Sequence, residues 1–258
     1  MLDSIVEFLY GETETLRQCC LVSKSWVPRT RKHLFALIMF PRPDAIEKWK
    51  RAFPDQSNSP AHYTHTLVVS CPRAITPEYA AEGGLISTFS RLVRLEVNKS
   101  TDPGPGPDLE MNLTPFYKIP ATLKSLSVAT PFALPLSQVF NLIRFLPSLE
   151  DLSLIGEEVE TNDNDPDDLC GIVPSPTSPA FTGVLYLYMF RGIGGTARRL
   201  VNLPNGLHFW RLQLKWYGRE DIRYVVDLVT ACSGTLELLE LTYIPEGATS
   251  FCWTNHSP

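Results

Sequence analysis

The sequence predicts an α/β fold in which short parallel strands stack side by side as a solenoid, with helices on the outside and a short helical segment in front. Three observations predict it: a leucine phrase that recurs along the chain, amphipathic segments between its copies, and the lack of a glycine-rich turn after the first strand.

The phrase is apolar-x-x-Leu-x-apolar. Its clearest copies are Leu92-x-x-Leu95-x-Val97, Leu123-x-x-Leu126-x-Val128, Leu149-x-x-Leu152-x-Leu154, Val184-x-x-Leu187-x-Met189, Phe209-x-x-Leu212-x-Leu214 and Leu236-x-x-Leu239-x-Leu241. Two weaker copies precede them, one centred on Leu37 with Met39 and one on Leu67 with Val69. The central leucines are spaced 30, 28, 31, 26, 35, 25 and 27 residues apart. A period of about 29 with inserted loops lies at the upper edge of the range for leucine-rich repeats. The expected architecture is therefore a leucine-rich-repeat solenoid of about seven to eight irregular repeats. Within each phrase the last two apolar positions are two apart, so both point to one face of a short strand and the residues between them face the other way.

Four intervals carry an apolar stripe at helical spacing: Pro43 to Phe53 (Ile46, Trp49, Phe53), Pro77 to Phe89 (Tyr79, Ile86, Phe89), Leu136 to Leu146 (Val139, Leu142, Ile143, Leu146) and Arg219 to Ala231 (Ile222, Val225, Val226, Val229). Strand, helix and strand at such short intervals require parallel strands with crossover helices. A doubly wound nucleotide-binding sheet would alternate in the same way, but it needs a glycine-rich turn where backbone approaches phosphate. The cluster Gly192-Ile193-Gly194-Gly195 lacks that spacing and reads as a loop. Prolines such as Pro103, Pro105 and Pro107, or Pro174, Pro176 and Pro179, fall between phrases and mark padded surface loops.

The first forty residues are helical in pattern. Leu2, Ile5, Val6 and Leu9 form one stripe, Leu16, Cys19 and Cys20 a second, and Trp26, Thr30 and Leu34 a third, so three short helices are expected, with Pro28 near a helix start. Residues 1–40 thus form one unit and residues 41–258 the repeat domain. A piece of about forty residues buries too little surface to fold alone, so it should lean on the solenoid, on a partner or on both.

The residues CysLeuValSerLysSerTrp (20–26) and ProArgThrArgLysHisLeuPhe (28–35) resemble the second half of an F-box as found in fungal F-box proteins. The resemblance implies a helical hook that docks on the Skp-type adaptor of a cullin-RING ubiquitin ligase, with the repeats holding the protein to be ubiquitylated. Carried onto this chain, the adaptor-binding positions are Leu2, Ile5, Val6, Leu9, Leu16, Cys20, Leu21, Val22 and Trp26. The Leu-Pro-x-Glu-type segment that usually opens the family is missing before the helix of Ile5 and Val6, so the F-box is truncated.

Composition narrows the alternatives. With 44% hydrophobic residues the chain can bury a core, and a net charge of −5 offers no general attraction to phosphate backbones or anionic membranes. Neither nucleic acid nor membrane is an expected partner. Asp3, Glu7, Glu12 and Glu14 occupy the stretch where a secretory signal wants positive charge and an apolar run, which points to the cytoplasm or nucleus. Six cysteines without CxxC spacing read as reduced, mostly buried thiols, and the sequons at Asn98, Asn112 and Asn255 carry no weight without secretion. Only Tyr243 to Pro258 follow the last phrase, with no polar capping unit, so a further carboxy-terminal portion is expected.

No catalytic or metal-binding set emerges, and neither an enzyme nor a cofactor is expected. His62 and His65 are near neighbours, but they sit at the start of an expected strand, where side chains three apart face opposite ways. The acidic run Asp163, Asp165, Asp167 and Asp168 has calcium-type ligands, yet Pro166 takes the place of the loop glycine and the closing glutamate is absent. It reads as an inserted polar loop. Binding is better supported, because a stack of parallel strands offers a row of outward side chains on a concave face. Among these, Tyr186, Tyr188 and Phe190 put three aromatics beside Arg211 and Lys215. Tyrosine and arginine dominate interface hot spots. This patch is the expected contact for a protein substrate, with an acidic segment as its complement. The alternatives are a repeat scaffold that binds a protein without any ligase, and an enzyme on an α/β sheet.

Overall fold

The computed structural model describes residue 9 and residues 12–55, 58–70, 85–98, 113–157, 181–189 and 192–245. Eight strands form one sheet in chain order: β1 (Leu37–Phe40), β2 (Thr66–Val69), β3 (Arg94–Asn98), β4 (Ser125–Ala133), β5 (Asp151–Glu157), β6 (Val184–Met189), β7 (Arg211–Tyr217) and β8 (Leu238–Ile244). Each pairs in parallel with the next. A doubly wound sheet would reverse its strand order at a switch point. Strict succession is compatible with a solenoid, in which each unit contacts only its neighbours.

Among the described residues there are six α-helices: α1 (Thr13–Val22), α2 (Val27–Leu34), α3 (Pro43–Ala52), α4 (Leu136–Arg144), α5 (Gly194–Val201) and α6 (Ile222–Ala231). Helices α3, α4 and α6 fall where the apolar stripes place them. Proline opens α3, where its missing N–H costs nothing, and Lys48 donates back to Asp44 at 2.7 Å. Of the fourth stripe, residues 77–84 lie outside the described residues, and Leu85–Thr88 forms a 3-10 turn rather than an α-helix.

A ladder of backbone hydrogen bonds precedes the strands and fixes the step from one to the next. The N–H groups of His65, Val93, Lys124, Glu150, Gly183, Trp210 and Glu237 donate in turn to the carbonyls of Ala36, His65, Val93, Lys124, Glu150, Gly183 and Trp210, at 2.7–3.1 Å. Threonines fasten the same turns from the side: the hydroxyls of Thr64, Thr122 and Thr235 donate to Phe35 O, Leu92 O and Phe209 O. Two rows of apolar side chains then run through the core. The first is Ile38, Leu67, Leu95, Leu126, Leu152, Leu185, Leu212 and Leu239. The second, two residues on, runs from Phe40 to Leu241.

This register corrects two of the eight phrases. The first is centred on Ile38 and Phe40, while Leu37 and Met39 lie on the other face, 51% and 56% exposed. Four apolar residues in succession give a period of two no preferred phase, and packing decides: Phe40 meets Trp49 edge-on at 6.0 Å. In the sixth phrase Leu185, not Leu187, aligns with Leu152, and Leu187 belongs to the second row beside Leu154. Successive steps along the first row are then 29, 28, 31, 26, 33, 27 and 27 residues, more even than the phrase alone suggests.

The glycine cluster is also corrected, because Gly194 and Gly195 open α5 and only Gly192, with φ of 61°, makes a left-handed turn. A β-carbon on Gly194 would stand 2.7 Å from the Tyr224 ring, so this glycine lets α5 and α6 approach. His62 likewise belongs to a 3-10 turn, Pro60–Tyr63, and not to a strand; its Nδ1 lies 2.5 Å from Ser59 O, and His65 precedes β2 exposed. The acidic run 163–168 lies outside the described residues. Of the cysteines described, Cys232 is buried, which pushes its thiol up to about 11, while Cys19 and Cys20 are half-buried and free.

At the amino-terminal end α1 and α2 form a hairpin. Leu16 is buried between them, and the Cys20 thiol meets the buried Thr30 hydroxyl at 2.8 Å. The hairpin is tied to the sheet, because α2 lies against the Pro60–Tyr63 turn and Thr64 bonds Phe35 O.

Candidate functional site

One face of the sheet is packed with core side chains; on the opposite face most of the described side chains are partly exposed, and Val68 is buried. Strand alternation puts every second residue there, and the parallel register lines these residues up about 4.8 Å apart from strand to strand. The middle row reads Met39, Val68, Glu96, Ser127, Ser153, Tyr186, Gln213 and Glu240. Its centre is small and its far side large. Ser127 and Ser153 are small, with Ala129 one step along on β4 and the larger Ile155 beside it on β5, and the tyrosines of β6 stand next to them.

Tyr186 and Tyr188 are half-buried, and register places them opposite Gln213 and Lys215. Lys215 Nζ stands 5.5 Å from the centre of the Tyr188 ring, within cation–π range. Burial, aided by a hydrogen bond to Tyr217, pushes the Tyr188 hydroxyl up to about 12, and burial raises that of Tyr186 as well. These are tyrosines held neutral, each presenting an apolar ring with a hydroxyl at its tip.

The basic side of the patch differs from expectation. Arg211 donates to Glu240 at 2.6 Å, and Gln213 donates to the other oxygen of the same carboxylate at 2.5 Å. The hydrogen bond from Gln213, followed by that from Arg211, holds the Glu240 carboxyl below its ordinary range. Arg211 Nε is buried with no hydrogen-bond partner. The charge of Arg211 is therefore already met within the sheet, and Lys215 is the cation of the patch turned to the tyrosines.

The structure thus brings together Tyr186, Tyr188, Arg211 and Lys215, while Phe190 lies outside the described residues. It adds Gln213 and Tyr217, which strand alternation puts on the same face as Arg211 and Lys215, and Glu240, which the linear pattern does not connect. Glu240 is 29 residues from Arg211, and only the β7–β8 register makes them neighbours.

Of the positions implied for an adaptor, Leu2, Ile5 and Val6 lie outside the described residues. Leu16 is 2% exposed and holds the hairpin together, and Cys20 is engaged with Thr30. Leu9 and Trp26 are half-buried. Leu21 and Val22, at the end of α1, are 81% and 74% exposed, an adjacent apolar pair free to meet another surface.

The Tyr188 shift makes a prediction with a definite sign. A phenol whose folded value is raised contributes stability that is complete below its ordinary value of 10 and is lost as pH rises towards 12. Near-ultraviolet titration of the folded chain should show a tyrosinate forming late, and Tyr188→Phe should remove that late step.

Among the described residues no group of three or more His, Cys, Asp or Glu side chains is placed to hold a metal ion, and no helix is long and apolar enough to cross a membrane. Compared with protein-family models, curated proteins and solved structures, the chain matches none.

Proposed function

We propose that this chain is the substrate receptor of a Skp-cullin-F-box ubiquitin ligase: an F-box-like segment within residues 1–40 meets the adaptor, and a leucine-rich-repeat solenoid over residues 41–258 holds the target protein. The observation that carries the reading is the sheet face away from the core. Eight strands in chain order offer one continuous row of side chains, and it rises from small residues on β4 and β5 to the tyrosines of β6. A protein segment laid along that row gains an apolar wall, hydroxyl donors and a lysine without catalysis being required. The exposed pair Leu21 and Val22 supports adaptor docking by α1. Such a complex would work in the cytoplasm or nucleus.

A second reading, a protein-binding scaffold without a ligase, is favoured by one observation. The α1–α2 hairpin is fastened to the first turn of the sheet, so it already serves as the end cap that a solenoid requires.

Co-expression of the full chain with a Skp-type adaptor tests the proposal. The adaptor should co-purify, and the exposed double substitution Leu21→Asp with Val22→Asp should abolish co-purification. Tyr188→Ala should leave the adaptor bound but weaken target capture roughly thirtyfold, the equivalent of about 2 kcal/mol. Failure of the adaptor to bind, with Tyr188-dependent target capture intact, selects the scaffold.

A further inference from the structure

A net charge of −5 gives the chain no general pull on anions, so a site for one has to be built locally. One such place lies in the helical layer, where α5 and α6 meet. Tyr224, in the first turn of α6, is half-buried and turned towards α5. Gly194 makes the fit: a β-carbon there would stand 2.7 Å from Cε2 and 2.9 Å from Cζ of the ring, the carbon that carries the hydroxyl. The phenol oxygen is thereby held beside the opening turn of α5, the positive end of that helix.

Two guanidinium groups close on this oxygen. Arg198 of α5 donates to it at 2.7 Å, and Arg223 of α6 donates to it as well. Both also lie over the ring, with their Cζ atoms 5.2 and 4.4 Å from its centre. Two like charges are thus drawn to one neutral oxygen, an arrangement that an anion would relieve. Two N–H groups use up the accepting capacity of the phenol oxygen, and what it has left to offer is its O–H. Among the described residues no acceptor is bonded to that O–H. Asp227, the one acidic residue within α6, stands four residues after Arg223 but is bonded to neither arginine. Within α5 there is no acidic residue at all.

We propose that this is a binding site for a phosphate group, with Arg198, Arg223 and the Tyr224 hydroxyl as its three donors. The class of ligand follows from their arrangement. A carboxylate is planar and is met by a single guanidinium fork, whereas donors arriving from three side chains suit the oxygens of a tetrahedral group. Two positive charges also match the nearly two negative charges of a phosphate monoester. The site lies apart from the tyrosines of the sheet, so its failure leaves the receptor reading untouched.

Calorimetric titration of the full chain with inorganic phosphate, at constant ionic strength, tests the proposal. Phosphate should fill one saturable site, and acetate titrated in the same way should bind at least tenfold more weakly. Arg198→Gln and Arg223→Gln should each weaken phosphate binding about tenfold, as expected for one charge-assisted hydrogen bond. Both arginines are exposed, so the circular dichroism should stay unchanged. Tyr224→Phe keeps the ring against Gly194 and removes only the O–H, and should weaken binding about fivefold. A phosphoserine peptide that binds more tightly than inorganic phosphate would identify a phosphorylated protein segment as the ligand; equal binding would identify the free ion. No saturation with millimolar phosphate would overturn the proposal. So would equal binding by the unchanged chain and the double variant Arg198→Gln with Arg223→Gln.

Discussion

Leu126→Ala is expected to destabilise the fold by about 2–5 kcal/mol, while the same change at Leu239 costs well under half as much. Both residues hold the same place in the first core row. Leu126 sits between Leu95 and Leu152 in the interior of the sheet and is fully buried, so truncation removes its transfer free energy and leaves a cavity whose walls are held by strands on either side. Leu239, at 39% exposure, loses contacts on one side only and can leave no closed cavity. Urea unfolding of the two variants checks the difference. Equal losses would mean that the end strand is as well packed as the middle of the stack.

Gly183→Ala is the second change with a large expected cost, about 2–4 kcal/mol, from overpacking together with a lost hydrogen bond. Gly183 is held by the backbone ladder on both sides, donating to Glu150 O at 3.1 Å and accepting from Trp210 N at 3.1 Å, so it has little freedom to move. A β-carbon there would stand 2.1 Å from Asp151 Oδ1 and 3.0 Å from the Glu150 backbone. The Asp151 carboxylate is where it is because it accepts the Val184 N–H at 2.8 Å. In neighbouring turns the corresponding N–H groups, those of Ser125 and Asp151, reach the backbone carbonyls of Val93 and Lys124 instead. Pushing the carboxylate aside therefore strips Val184 of its acceptor. The double change Gly183→Ala with Asp151→Ala should cost less than the sum of the two single changes, because the clash with the side chain disappears while the contact with the Glu150 backbone remains. Additive losses would show that the carboxylate does not govern this turn.

How far the fold can be read from the chain depends on how local the signal is. Leu92-x-x-Leu95-x-Val97 and Leu123-x-x-Leu126-x-Val128 carry their inward phase within a few residues, since a leucine flanked by polar neighbours has one face to hide. Leu37-Ile38-Met39-Phe40 has no polar neighbour to set the phase, and the packing of Phe40 on Trp49 of α3 decides it. The glycine cluster after β6 reads as a loop because it lacks the spacing of a phosphate-binding turn, yet packing against Tyr224 makes a residue without a β-carbon the one that fits at the start of α5. At the site, Tyr186 and Tyr188 were legible as outward aromatics. The capture of Arg211 by Glu240 was not, because its partner comes from the next strand.

The amino acids alone pointed to parallel strands recurring about every 29 residues, with amphipathic helices in several of the intervals. Repeated short apolar phrases joined by helix-length crossovers leave few other ways to bury themselves. The three-dimensional arrangement decided which phase the first strand adopts, which charges cancel on the sheet face away from the core, and that the core rows are part-exposed at β8. Each of these depends on what stands on the neighbouring strand or helix, and residues some 27 positions apart become neighbours only once the register exists.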